Sequence, residues 1–128
     1  MENYKDLKIL VVDDLQENLI SLKTVLEKNN FIVETAESGK KALDLLLKQD
    51  FGLALLDVQM PQMDGFEVAE HMKSNNRTKN IPIVFLSALA TQRDFFKKGF
   101  EVGAIDYLTK PLDADLLLLK VSNLLMLS

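Results

Sequence analysis

Five short apolar runs of strand type recur through this chain at near-regular intervals, and that recurrence narrows its fold more than any other feature. The runs are Lys8–Val12 (KILVV), Ile32–Ala36 (IVETA), Leu53–Leu56 (LALL), Ile83–Leu86 (IVFL) and Asp106–Thr109 (DYLT), with starts 24, 21, 30 and 23 residues apart. Between them, apolar residues fall at three- and four-residue spacing. Leu15, Leu19, Leu22 and Leu26 come first, then Ala42, Leu43, Leu46 and Leu47, then Phe66, Ala69 and Met72. Phe96 and Phe100 follow, and then the run Leu116 to Leu127. Such spacing places side chains on one face of a helix. Strands alternating with helices of this length are βαβ units, which need a parallel sheet covered on both faces. Runs 1, 3 and 4 are apolar at nearly every position, as central strands are, whereas run 2 carries Glu34 and Thr35 and reads as an edge. The expected fold is an α/β three-layer sandwich of five strands and five helices.

Punctuation supports these boundaries. Gly103 falls just past the fourth helix, and Asp113 can cap the fifth. Met60–Gly65 (MPQMDG) is a turn-rich loop in which Asp64 and Gly65 shape the entry to the third helix. Asn75–Asn80 (NNRTKN) is a polar connection expected to be mobile. A length of 128 residues suits about one domain, here residues 1–128.

Composition then removes whole classes of function. At 48% hydrophobic and 27% charged the chain is no disordered segment. It has no eighteen-residue apolar stretch and no charged-then-apolar leader, so the expectation is a cytoplasmic domain without a membrane span. The charge is −4, from 15 Lys+Arg against 19 Asp+Glu, which gives no electrostatic footprint for nucleic acid. Zero Cys excludes disulfides, zinc knuckles, iron–sulfur clusters and thiol nucleophiles. The single His71 argues against a Ser–His triad and reads as a surface residue of the third helix. Chemistry must come from carboxylates, hydroxyls and lysines.

Those groups collect at strand ends. Strand 1 ends in Asp13–Asp14, strand 3 in Asp57, strand 4 in Ser87 and strand 5 in Thr109–Lys110–Pro111. In open α/β sheets, ligands bind beyond the carboxyl ends where the strand order reverses. With the order 2-1-3-4-5 that point lies between strands 1 and 3, so three aspartates converge there beside Ser87 and Lys110. Two carboxylates about 4 Å apart repel by roughly 4 kcal/mol at an effective dielectric near 20. A proton or a cation must relieve them. Oxygen donors without His or Cys suit Mg²⁺, or Mn²⁺ in its place. A hydroxyl, a lysine, a divalent cation and a carboxylate are the parts needed for phosphoryl transfer to or from Asp57.

With these residues in view, the chain resembles the receiver (response-regulator) domains of two-component signalling. The resemblance runs from Lys8 to about Leu125 and rests on Val11-Val12-Asp13-Asp14, Leu56-Asp57-Val58-Gln59-Met60-Pro61, Met63-Asp64-Gly65, Leu86-Ser87-Ala88 and Gly103 to Pro111. It implies a flavodoxin-like sheet, with Asp57 as phosphoacceptor. It also implies Mg²⁺ held by Asp14, Asp57 and the Gln59 carbonyl, with Asp13 acting largely through a metal-bound water. Ser87 becomes the switch hydroxyl, Lys110 the family lysine, Tyr107 the switch aromatic, and Lys110–Pro111 a cis peptide. Gln59 and Leu89 occupy the variable positions that flank the path of an attacking water. The implied partner is a histidine kinase or a histidine phosphotransfer protein. The chain would then be a phosphoacceptor that catalyses its own phosphorylation and dephosphorylation rather than an enzyme in its own right.

Three other readings are weaker. An aspartate-nucleophile phosphatase would carry Asp-x-Asp where this chain has Asp57-Val58-Gln59. A flavodoxin-like electron carrier would need a hydroxyl- and glycine-rich phosphate loop after strand 1, where Asp13-Asp14-Leu15-Gln16-Glu17 would repel a phosphate. A degenerate receiver would lack a site residue, and none is missing. Asp13–Asp14 taken alone would serve equally as a helix cap.

The fifth helix adds one more expectation. Ten of its 15 residues from Asp113 to Leu127 are apolar, more than a one-sided helix requires. Leu117, Val121, Leu124 and Leu125 cover the sheet in this reading. Leu116, Leu119, Met126 and Leu127 then await a second surface, a twin receiver in a homodimer or a C-terminal output domain of a longer protein. The stretch Asp14 to Leu26 is closer in style to receivers joined to histidine kinases.

Overall fold

The computed structural model describes residues 6–88, 93–104 and 106–126, the side chains of 93–96 excepted. Among the described residues ten elements alternate strictly: β1 Lys8–Val12, α1 Gln16–Lys28, β2 Ile32–Ala36, α2 Gly39–Lys48, β3 Leu53–Asp57, α3 Gly65–Lys73, β4 Ile83–Ser87, α4 Arg93–Glu101, β5 Asp106–Thr109 and α5 Ala114–Met126. All strand pairs are parallel, and the sheet order is β2-β1-β3-β4-β5.

The period-two rule of a strand sorts the core into two layers. Ile9 and Val11, Leu53 and Leu55, and Val84 and Leu86 face one side, where Leu19, Leu22 and Leu26 of α1 and Leu117, Val121 and Leu125 of α5 cover them. Leu10 and Val12, Ala54 and Leu56, and Ile83 and Phe85 face the other, against Ala42 and Leu46 of α2 and Phe66, Ala69 and Met72 of α3. Each fully buried leucine removed from water contributes about 1.5–3 kcal/mol, so sheet and helices hold each other. β2 is an edge, with Ile32 exposed and Glu34 and Thr35 half-buried.

Boundaries follow local chemistry. Ser38 caps α2 by accepting from Lys41 N. Asp64 and Glu67 form a capping box at α3, two donors satisfied reciprocally. Asp113 Oδ1 accepts from Asp115 N and Leu116 N, capping α5. Gly103 ends the turn after α4 at φ +88°, a conformation that strains any side chain. The polar connection after α3 is more tied down than its composition suggests, because Thr78 is buried with its Oγ1 donating to Met72 O at 2.7 Å.

The apolar runs end one residue early in two places. β3 reaches Asp57 and β4 reaches Ser87, because backbone pairing continues past the last apolar side chain, Asp57 with Leu86 and Ser87 with Thr109. On α5, Leu117, Val121 and Leu125 are buried while Leu124 is half-buried, and Leu116, Leu119 and Met126 are exposed. Leu127, Leu89 and the Phe96 side chain lie outside the described residues.

Candidate functional site

Strands β1, β3, β4 and β5 deliver polar residues to one edge of the sheet. Asp13 and Asp14 follow β1, Asp57 and Ser87 end β3 and β4, and Lys110 follows β5. Asp13, Asp57 and Ser87 are 0%, 4% and 2% exposed, a degree of burial that polar groups tolerate only with partners. One carboxylate oxygen from each of Asp13, Asp14 and Asp57 lies within 4.8 Å of the others.

Lys110 bridges two of them. Its Nζ donates to Asp57 Oδ1 at 3.0 Å and to Asp13 Oδ2 at 3.1 Å. One ammonium against three carboxylates leaves the site negative. Burial raises the Asp57 carboxyl above its ordinary range, and the Asp13 and Asp14 charges add to that. The hydrogen bond and charge of Lys110 oppose it without cancelling it. Burial alone would lower the Lys110 pKa, but its bonds to Asp57 and Asp13 outweigh that and raise it. The lysine therefore stays charged.

Asp13 does not cap α1. The N-cap is Leu15, which makes no side-chain cap bond. Instead Asp13 Oδ1 accepts from Leu15 N at 3.0 Å, and Oδ2 accepts from Asn18 Nδ2 at 3.1 Å beside Lys110. Both oxygens are engaged by the protein, whereas Asp14 stands more open. Sequence reasoning passed over Asn18, since an asparagine near the start of a helix reads as solvent-facing.

Gly65 pins the loop beyond β3. Its N donates to Val58 O at 3.0 Å, and a Cβ there would collide with the backbone oxygen of Asp57. Gln59 is exposed at the start of that loop, between buried Val58 and Met60. Ala88 is exposed beside the site. With Asn18, Leu22, Val25, Leu112 and Leu117 it lines a cavity of about 560 Å³, open to solvent between α1 and α5 and bordered by Asp13 and Lys110. The Lys110–Pro111 bond is cis. His71 is exposed on α3.

Tyr107 lies on β5, away from the carboxylates. Its ring is 7% exposed and meets Phe85 at 5.8 Å and Phe100, edge to face, at 5.6 Å between centroids. Burial raises its phenol pKa. Lys120 Nζ donates to Tyr107 O at 3.2 Å and pairs with Asp106 at 2.8 Å, fastening α5 to β5. The resemblance implies a ring that turns inward on phosphorylation, and here the ring is already buried without it.

Three clustered carboxylates with only oxygen to offer suit a hard divalent cation. No helix among the described residues is long and apolar enough to cross a membrane.

A parallel sheet in this order, with an acidic cluster and a lysine at its carboxyl edge, defines a response-regulator type of domain. Comparison with known proteins agrees. Residues 9–122 match the family model described as the response regulator receiver domain. Over 117 residues the chain is 40% identical to "Response regulator PleD" of Caulobacter vibrioides and 38% identical to a "Probable cyclic di-GMP phosphodiesterase" of Vibrio cholerae. In both cases the match covers 91% of this chain and 26% of the relative. The chain thus spans about a quarter of those relatives' length. The structure of the chemotaxis protein CheY4 of Vibrio cholerae superposes with a TM-score of 0.88 at 31% identity, covering 93% of this chain and 98% of that one. The chain belongs to the receiver domain family of two-component signal transduction, a family of phosphoacceptor domains in phosphorelays.

Proposed function

We propose that Asp57 is the phosphoacceptor of this domain and takes its phosphoryl group from a phosphohistidine on a histidine kinase or a histidine phosphotransfer protein. The observation that supports this most is the burial of Asp57 between Lys110 and the Asp13–Asp14 pair. In transfer, an Asp57 oxygen attacks phosphorus, the P–N bond of the donor breaks, and the imidazole leaves. Lys110 Nζ, already 3.0 Å from Asp57, neutralises charge on the incoming group, and Ser87 donates a hydrogen bond to it. Mg²⁺, or Mn²⁺ in its place, supplies further charge neutralisation when bound. Asp14, Asp57 and the Gln59 carbonyl would hold it directly, and Asp13 through a water, since both Asp13 oxygens already accept from the protein. Hydrolysis later returns Asp57 to its free form.

Ser87, drawn toward the phosphoryl group, favours the buried position of Tyr107 and so biases the surface of α4, β5 and α5. Phe100, Leu119 and Met126 are each more than half exposed on these helices. That supports residues 1–128 as the N-terminal receiver of a longer cytoplasmic regulator, which uses α4 and α5 against a twin receiver or an output domain. The net charge of −4 supports a receiver that does not itself touch nucleic acid.

Incubation with a small acyl phosphate and Mg²⁺, read by intact mass, tests the acceptor. Wild type gains one acid-labile phosphoryl group and Asp57→Asn gains none; a label that persists on Asp57→Asn defeats the assignment. In titrations, Asp14→Ala weakens Mg²⁺ binding more than Asp13→Ala does. Equal affinity in both variants and wild type counts against the metal set.

A further inference from the structure

A helix interior disfavours glycine relative to alanine, so a glycine there asks for a reason. Gly99 lies within α4, and it is Gly103, not Gly99, that needs a positive φ. Its reason is space. A Cβ on Gly99 would overlap the Oη and Cζ of Tyr107 outright and come within 3.0 Å of Cε1. The tip of the phenol fills the volume that a side chain at position 99 would take. Phe85 and Phe100 flank the rest of the ring at 5.8 and 5.6 Å between centroids.

We propose that Gly99 is a notch in α4 that admits the Tyr107 ring, and that this notch is a positioning element of the domain's switch. The inference rests on the reading of Tyr107 as the switch aromatic of a phosphorylated receiver. It names the residue that makes the buried position available. A Cβ at 99 overlaps the Tyr107 Oη, so the ring or α4 has to move to admit it, whatever the state of Asp57. The buried and exposed positions of the ring then cease to be in balance, and phosphorylation at the sheet edge has nothing to bias at α4.

The chain offers its own reporter, having two tyrosines and no tryptophan. In a Tyr4→Phe background, tyrosine fluorescence comes from Tyr107 alone. Acrylamide quenching should be weak in that protein and weaker still with beryllofluoride and Mg²⁺. Gly99→Ala should raise the quenching constant several-fold and abolish the beryllofluoride response at Tyr107, while intact mass still shows phosphorylation by an acyl phosphate. Quenching that is the same with Gly99 and with alanine at that position overturns the notch. A double-mutant cycle reads the same contact through stability, and should Gly99→Ala fail to fold, Gly99→Ala in a Tyr107→Leu background should fold as Tyr107→Leu alone does. The alanine should lower the midpoint of denaturant unfolding in the Tyr107 protein and cost nothing in a Tyr107→Leu background. Equal loss in both backgrounds refutes the coupling. Wild type that fails to take up phosphate strikes the phosphoacceptor reading alone, because the quenching comparison and the cycle need no donor.

Discussion

Leu55 and Asp57 stand two residues apart on β3, point to the same side of the strand, and are both buried. Their surroundings could hardly differ more. Leu55 sits among aliphatic side chains of β1, β4, α1 and α5, where every neighbour gains from its bulk. Asp57 sits where two other carboxylates crowd it and one lysine compensates only in part. Equal burial thus carries opposite energetic signs. The middle of the sheet is built for stability, and its carboxyl edge holds charges that the fold tolerates because a ligand or a reaction relieves them. A consequence follows for mutagenesis. Side-chain removal in the middle should always destabilise, while at the edge the result depends on which charge is removed.

The largest effect tests the middle. Leu55→Ala should lower stability by about 4 kcal/mol, the loss of buried surface plus a cavity that the sheet cannot collapse. A urea midpoint that barely moves would mean that the layer between β3 and α1/α5 is loosely packed, and the contrast would be lost.

Next comes the compensating charge. Lys110→Ala strands Asp13 and Asp57 as buried carboxylates without their shared partner. Breaking a buried pair costs 3–5 kcal/mol, and with the Lys110 side chain 25% exposed the lower figure, about 3 kcal/mol, applies. Mg²⁺ should restore part of that stability. A loss indifferent to Mg²⁺ would show that the lysine acts there by packing rather than by charge.

The smallest effect has the opposite sign. Asp57→Asn should raise stability at neutral pH by about 1–2 kcal/mol, since an amide keeps the shape and removes the buried charge. The sign follows from linkage. The folded pKa of Asp57 is raised above the unfolded one, so its contribution is full below the ordinary carboxylate range and is lost as pH rises through the folded value. The gain from Asp57→Asn should therefore shrink on acidification, measured by denaturant midpoints across that window. Lys110 follows the same sign in a higher window. Its folded pKa is raised too, so its contribution holds below the ordinary lysine range and fades as pH climbs through the raised value. A gain from Asp57→Asn that stays constant with pH would remove charge as the cause.

Much of this contrast was legible in the sequence, and for a physical reason. Apolar runs of strand length mark strands, continuous where both faces are covered and broken by polar residues at an edge, and Lys8–Val12, Ile32–Ala36 and Asp106–Thr109 are found at the bounds read from sequence. The runs at Leu53 and Ile83 fell one residue short, because Asp57 and Ser87 belong to the ladder by backbone while their side chains break the apolar pattern. The convergence of Asp13, Asp14 and Asp57 was readable because strand order places β1 beside β3, and Lys110, which follows β5 with β4 between, was readable as a residue of the same carboxyl edge. What escaped were contacts that depend on depth and direction. Asn18 reaches back to Asp13 across the start of α1, and Gly99 yields its volume to a ring eight residues later. Neither leaves a periodic trace.

The Lys110 ammonium joins carboxylates 53 and 97 positions away along the chain. Loop closure costs entropy before such contacts contribute, which predicts that their energies act on the rate of falling apart more than on the rate of assembly. The charge crowding at the edge should then be almost invisible in the refolding limb of a chevron and plain in the unfolding limb. For a domain whose signal is a reversible modification, that is a useful division. The acidic edge can be retuned for lifetime or metal affinity without slowing the route by which the protein first becomes a domain.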